Sequence, residues 1–182
     1  MAKAYVFLAE GFEEIEGLTV VDILRRAGVE TVMAAIGEKK EVTGSHGIMT
    51  KADCLFDEVK SDEADLFVLP GGMPGTKHLA AHEGLAALLK NAAADGKKVA
   101  AICAAPSVLG GLGILSGKKA ACYPGFEENL IGADVQYDPV VVDGNVTTSR
   151  GMGTAIPFAL ALTEQLTDSE TAEKLGKSII WS

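Results

Sequence analysis

Basic clusters, a long apolar run and any Cys-x-x-Cys pair are all missing from this sequence. Sixteen Lys and Arg stand against 25 Asp and Glu, a formal net charge of -9. Without a concentrated basic patch, an acidic surface of this kind is not built to hold nucleic acid or an anionic membrane. The first apolar run, Ala4 to Ala9, is closed by Glu10 and falls far short of a signal-peptide core or a membrane span, so a soluble cytoplasmic protein is expected. The three cysteines, Cys54, Cys103 and Cys122, are odd in number and widely spaced. That pattern suits reduced thiols rather than a disulfide framework or a zinc site. No metal-ligand spacing appears, and no metal or cofactor is expected.

What is present fits one domain over residues 1–182, with 48% apolar residues, 23% charged residues and 21 glycines for tight turns. Ala4 to Ala9 reads as a strand buried on both faces. The segment Glu13 to Ala27 reads as a helix, with Arg25 and Arg26 in its last turn and Gly28 as its stop. Val29 to Ile36 reads as a second strand, completing a β-α-β unit. The glycine-broken stretch Lys39 to Thr50 predicts a small hairpin excursion. Ala64 to Leu69 and Val99 to Ile102 predict buried strands. Helices are expected over Leu85 to Asp95 and Ala104 to Leu112. Lys118 to Cys122 and Val140 to Thr148, turning at Asp143-Gly144, add strands, and two helices close the chain. The second of those starts at Thr167-Asp168-Ser169-Glu170, a capping-box pattern. The alternation predicts a flavodoxin-like three-layer α/β sandwich with a mainly parallel central sheet.

Open parallel sheets place ligands at the carboxyl ends of their strands, and three segments lie there. In Ala101-Ile102-Cys103-Ala104-Ala105-Pro106 a strand turns into a helix at a cysteine with small neighbours. A helix N-terminus beside it would favour the thiolate, although a buried cysteine is also an ordinary core residue. Leu69-Pro70-Gly71-Gly72 can aim backbone N–H groups into the cleft, as an oxyanion site requires. In Glu13-Glu14-Ile15-Glu16, most of the charge complements the helix N-terminus. If Ile15 and Leu18 face the sheet, Glu16 lies toward the cleft, where burial would keep it a neutral acid able to donate to a thiolate. His46, His78 and His82 read more simply as surface or helix residues, with His46 the first candidate for a functional role.

These segments, with Thr148-Ser149-Arg150-Gly151-Met152-Gly153-Thr154, resemble the ThiJ/PfpI superfamily, in the branch of the human parkinsonism-associated protein deglycase. The similarity runs from about Ala4 to near the C-terminus. The resemblance implies that Cys103 is an easily oxidised nucleophile and Glu16 the protonated acid bonded to it, with Gly72 and Ala104 supplying oxyanion-hole N–H groups. It implies a homodimer, with Arg26 and His46 close to the cleft. It also implies glyoxalase III activity, converting methylglyoxal to lactate without glutathione, or deglycase activity on glycated adducts. A redox sensor or redox-regulated chaperone using the same cysteine is the alternative. The protease-like branch carries a histidine directly after the cysteine, where this chain has Ala104. Twenty positions after the cysteine, Tyr123 stands where human-type relatives carry a histidine; a phenol with a free pKa of about 10 is a poor base at neutral pH but can orient a carbonyl. Met152 replaces the proline of the relatives' Ser-Arg-Gly-Pro-Gly-Thr loop.

Overall fold

A computed structural model describes residues 1–181. The chain opens with β1 (Lys3–Leu8), α1 (Glu14–Arg26) and β2 (Glu30–Ala35), followed by the hairpin strands β3 (Glu41–Thr43) and β4 (Met49–Lys51). Next come β5 (Cys54–Leu55), β6 (Leu66–Leu69), α2 (Gly75–Ala81), α3 (Glu83–Ala94), β7 (Lys98–Ile102) and α4 (Pro106–Gly111). The chain continues through β8 (Lys119–Ala120), β9 (Asp134–Val135), β10 (Val140–Asp143) and β11 (Val146–Ser149) to α5 (Ala155–Leu166) and α6 (Ser169–Ser178).

Seven strands form the central sheet in the order β10-β11-β7-β6-β1-β2-β5. All neighbours are parallel except the β10/β11 pair. The side-chain period of two sorts the strands between two cores. Val6, Leu8, Val68, Ala100 and Ile102 pack with α1 and α5, whereas Tyr5, Phe7, Phe67, Val99 and Ala101 pack with α3 and α4. Because both faces are covered, the strands need continuous apolar sequence rather than alternation. This is the flavodoxin-like sandwich expected.

Several local readings change. The stretch Gly75–Ala81 forms a helix, α2, that its Pro-Gly start concealed. β5 is a two-residue edge strand. The Lys118 to Cys122 run contributes only Lys119–Ala120, which pairs with β9 in a separate two-stranded sheet. The last helix is capped by Asp168 rather than Thr167, with Thr171 N donating to Asp168 Oδ1 at 2.7 Å. Among the described residues, no helix is long and apolar enough to cross a membrane.

Asp168→Ala should lower the urea midpoint of unfolding, because it removes the N-cap acceptor of α6. Urea titration measures it, and an unchanged midpoint would show that α6 does not depend on this cap.

Candidate active site

Cys103 follows directly on β7 and has φ 66, a left-handed conformation that few residues other than glycine adopt. Tertiary hydrogen bonds hold it there. Cys103 N donates to Ser149 O at 3.0 Å, and Tyr123 N donates to Cys103 O at 2.8 Å. The turn therefore directs the thiol out of the sheet edge into a cavity of about 570 Å³, lined also by Glu13, Glu16, His46, Tyr123 and Arg150. Another cavity of about 430 Å³, between Leu8, Ile36 and His78, offers no thiol or hydroxyl nucleophile.

Glu16 is 1% exposed and accepts from Gly71 N at 2.9 Å. The premise that Ile15 faces the sheet is wrong: Ile15 is 49% exposed, and the buried face of α1 carries Glu14, Glu16, Val20, Ile23 and Leu24 instead. Glu16 nevertheless points inward, because that face places it beneath Cys103. Glycine makes the approach possible. A Cβ on Gly71 would lie 2.6 Å from Cys103 Cβ and 2.7 Å from Glu16 Oε2. Gly72, at φ 91, would drive a Cβ into the backbone at Glu13. Glu13 N in turn donates to Gly71 O at 2.8 Å, so the loops after β1 and β6 are locked together.

Burial pushes Glu16 up to about 7, opposed by hydrogen bonds to Cys103 and Gly71 N–H. Burial also pushes the Cys103 thiol up to about 12; the charge of an ionised Glu16 adds to the rise, and N–H groups of Ala104 and Gly72 work against it. This corrects the expectation that a helix N-terminus alone would favour the thiolate. α4 has only six residues and starts at Pro106, so its dipole is weak at the sulfur. The contribution from Glu16 charge vanishes once Glu16 is neutral, and the two groups titrate as a pair.

Glu14, two residues before Glu16, behaves in the opposite way. Burial alone would raise it, yet N–H groups of its own residue, His46 and Ile48, together with the His46 ring, bring it down to about 2. His46 N donates to Glu14 Oε1 at 2.9 Å, pinning the turn after β3 to α1. His46 thus lines the cavity, as the resemblance implied, with Nδ1 at 3.1 Å from Glu14 and 3.3 Å from Glu13. The Glu14 carboxylate raises the pKa of His46. These three side chains bring donor atoms within 4.8 Å of one another, a grouping that no local spacing in the sequence announces. Arg26, in contrast, is not at the cleft of its own chain. It sits in the last turn of α1, paired with Asp22, about 15 Å along the helix from Glu16 at 1.5 Å per residue. His78 Nδ1 bonds Glu10 O, and His82 caps α3, so neither enters this cavity.

Residues 2–165 match the DJ-1/PfpI family. Protein DJ-1 homolog A of Arabidopsis thaliana is 43% identical over 174 residues, covering 95% of this chain. The chain spans only 44% of that protein and 40% of its homolog B, less than half the length of either. Deglycase PfpI of Pyrococcus furiosus is 37% identical over 153 residues, covering 83% of this chain and 91% of its own length. The solved structure of oxidized Toxoplasma gondii DJ-1 superposes with a TM-score of 0.96 at 38% identity, covering 100% of both chains.

Since the folded pKa of Glu16 lies above the ordinary carboxyl value of 4.5, its contribution to stability is greatest below pH 4.5 and declines as pH rises toward 7. Glu16→Gln should therefore be more stable than wild type above pH 7, by at most about 3 kcal/mol, with the gap closing below pH 4.5. Thermal unfolding across that range measures it; a gap independent of pH would mean that Glu16 does not carry a raised pKa.

Proposed function

The chain belongs to the DJ-1/PfpI family, and from that premise we propose that it is a cysteine-dependent enzyme acting on reactive carbonyls, glyoxalase III-like or deglycase-like. The observation that carries this reading is the meeting of a strained Cys103 with a buried Glu16 in an open cavity. The deglycase name of the Pyrococcus furiosus relative supports the substrate class.

On this reading the pair is reactive when its remaining proton sits on Glu16. The thiolate then accepts from the Glu16 O–H and from Ala104 and Gly72 N–H. With methylglyoxal, sulfur attacks the aldehyde carbon to form a hemithioacetal, whose oxygen is held by the same two N–H groups. Transfer of the C1 proton to C2, relayed by Glu16, gives a lactoyl thioester. Water hydrolyses it to lactate and regenerates the thiol. Tyr123 lines the cavity and can orient the carbonyl. Addition needs no leaving group, so it asks less of a missing histidine than amide hydrolysis does. The same reading takes a second copy of this chain as partner.

Cys103→Ser should abolish lactate formation from methylglyoxal while Cys54→Ser retains it; equal turnover in both variants and wild type would overturn the reading. Replacing the acid O–H with an amide in Glu16→Gln should slow alkylation of Cys103 by iodoacetamide at pH 7 roughly tenfold. Faster alkylation would instead identify Glu16 as a carboxylate whose charge opposes the thiolate.

A further inference from the structure

Arg150 follows β11 and lines the Cys103 cavity, and its chemistry is unused by the reaction just described. Its Nε is buried without a hydrogen-bond partner. Among the described residues, no carboxylate lies within 4.0 Å of its guanidinium. The guanidinium lies over Tyr137, whose ring centre is 5.7 Å from the guanidinium carbon. A guanidinium held in a wall, with an unsatisfied donor and no internal counter-ion, is an unusual arrangement, since buried donors are nearly always paired. Arg150 lines the same cavity as the Cys103 thiol.

The carboxylates across the cavity do not neutralise it. Glu13 is 3.3 Å from His46 Nδ1 and accepts from Ser45 Oγ, while Glu16 accepts from Gly71 N and is in contact with the thiol. Their partners are local, which leaves the Arg150 side of the cavity to its ligand.

We propose that Arg150 forms an oxyanion subsite, so that the carbonyl compounds Cys103 attacks carry a carboxylate or phosphate group. The planar fork of five N–H donors suits either anion in a two-point contact. An anionic substrate would be held at one end by Arg150 while its carbonyl meets the thiol at the other. The inference rests on the proposed role of Cys103 as an addition nucleophile, which the neutral reagent below tests separately.

The test compares alkylation of Cys103 by iodoacetate and iodoacetamide. In each case the Cys103 thiolate displaces iodide to form a thioether, so the two reagents differ at the reacting centre only in the charge they bring. The wild-type iodoacetate-to-iodoacetamide rate ratio should exceed that of free cysteine in the same buffer, by roughly tenfold or more for a hydrogen bond to a charged group. Salt should lower it. Arg150→Gln should return the ratio to the free-cysteine value with iodoacetamide reactivity retained; Arg150→Lys, which keeps the charge but not the fork, should give an intermediate ratio. If Arg150→Gln does not fold, the Arg150→Lys ratio and the wild-type salt dependence decide the matter. Protection of the thiol from iodoacetamide by acetate would assign the group as a carboxylate, and protection by inorganic phosphate would assign it as phosphoryl. A wild-type ratio equal to that of free cysteine, or one unmoved by Arg150→Gln, overturns the subsite. Loss of iodoacetamide reactivity in wild type would overturn the nucleophile instead.

Discussion

The site depends on the absence of one methyl group. At Gly71 the backbone passes so close to Cys103 and Glu16 that a Cβ would overlap both, at 2.6 and 2.7 Å. Any larger residue would separate the thiol from the acid or displace the loop that carries the Gly72 N–H. The contact between sulfur and carboxyl group is thus set by main-chain geometry, with the side chains following from it. A positive φ at Cys103 is the second half of the same constraint, because it turns the thiol off the line of β7 toward that contact. Such conformations cost of order 1–3 kcal/mol and persist where neighbouring structure over-determines them. Here the neighbouring structure is Ser149 on one side and Tyr123 on the other.

Two acids two residues apart then show how environment divides identical chemistry. Glu14 and Glu16 both lie on the buried face of α1. Glu14 receives several N–H donors and remains a carboxylate, which fixes the turn carrying His46. Glu16 receives one backbone N–H and a thiol, too little to offset burial, and so keeps its proton toward neutral pH. One acid acts as a peg and the other as a proton store. Donor count and depth together separate them.

The layered architecture was legible in the sequence because every strand of the central sheet that is four or more residues long, β11 apart, is a near-continuous apolar run. Short elements were not: α2 begins in a glycine-rich turn, and β5 has two residues whose strand character comes from pairing with Ala34 and Ala35. The cavity shows the same division. Cys103 and Gly72 stand in local motifs that already suggest a sharp turn and exposed N–H groups. In the sequence Glu16 follows from an inward Ile15, which the structure reverses, so a residue that does reach the cavity rests there on a faulty helical phase. Arg26 was placed at the cleft by resemblance alone, and in this chain it lies at the far end of α1. Arg150 could be seen in a motif, but its lack of a partner is a property of folding and has no signature in a string of letters. The grouping of Glu13, Glu14 and His46 likewise forms only when the β3–β4 hairpin folds back onto α1.

Tyr123 limits what the proposed chemistry can ask of the site. A neutral phenol can donate to a carbonyl oxygen but does not readily remove a proton from carbon, so the proton transfers fall to Glu16 and to the sulfur it serves. That assignment is self-consistent only if Glu16 enters the reaction neutral: as the thiolate adds to the carbonyl, the Glu16 proton passes to the new hemithioacetal oxygen, leaving a carboxylate able to accept the C1 proton afterwards. Burial supplies the first state, and the donor set around the hemithioacetal oxygen limits the cost of the second. A single acid alternating between these states can carry the cycle when the substrate is a carbonyl, because addition creates an alkoxide for the N–H groups to hold and expels nothing. Amide cleavage would need a protonated leaving amine as well, a second proton transfer at the moment when Glu16 is already engaged with the first.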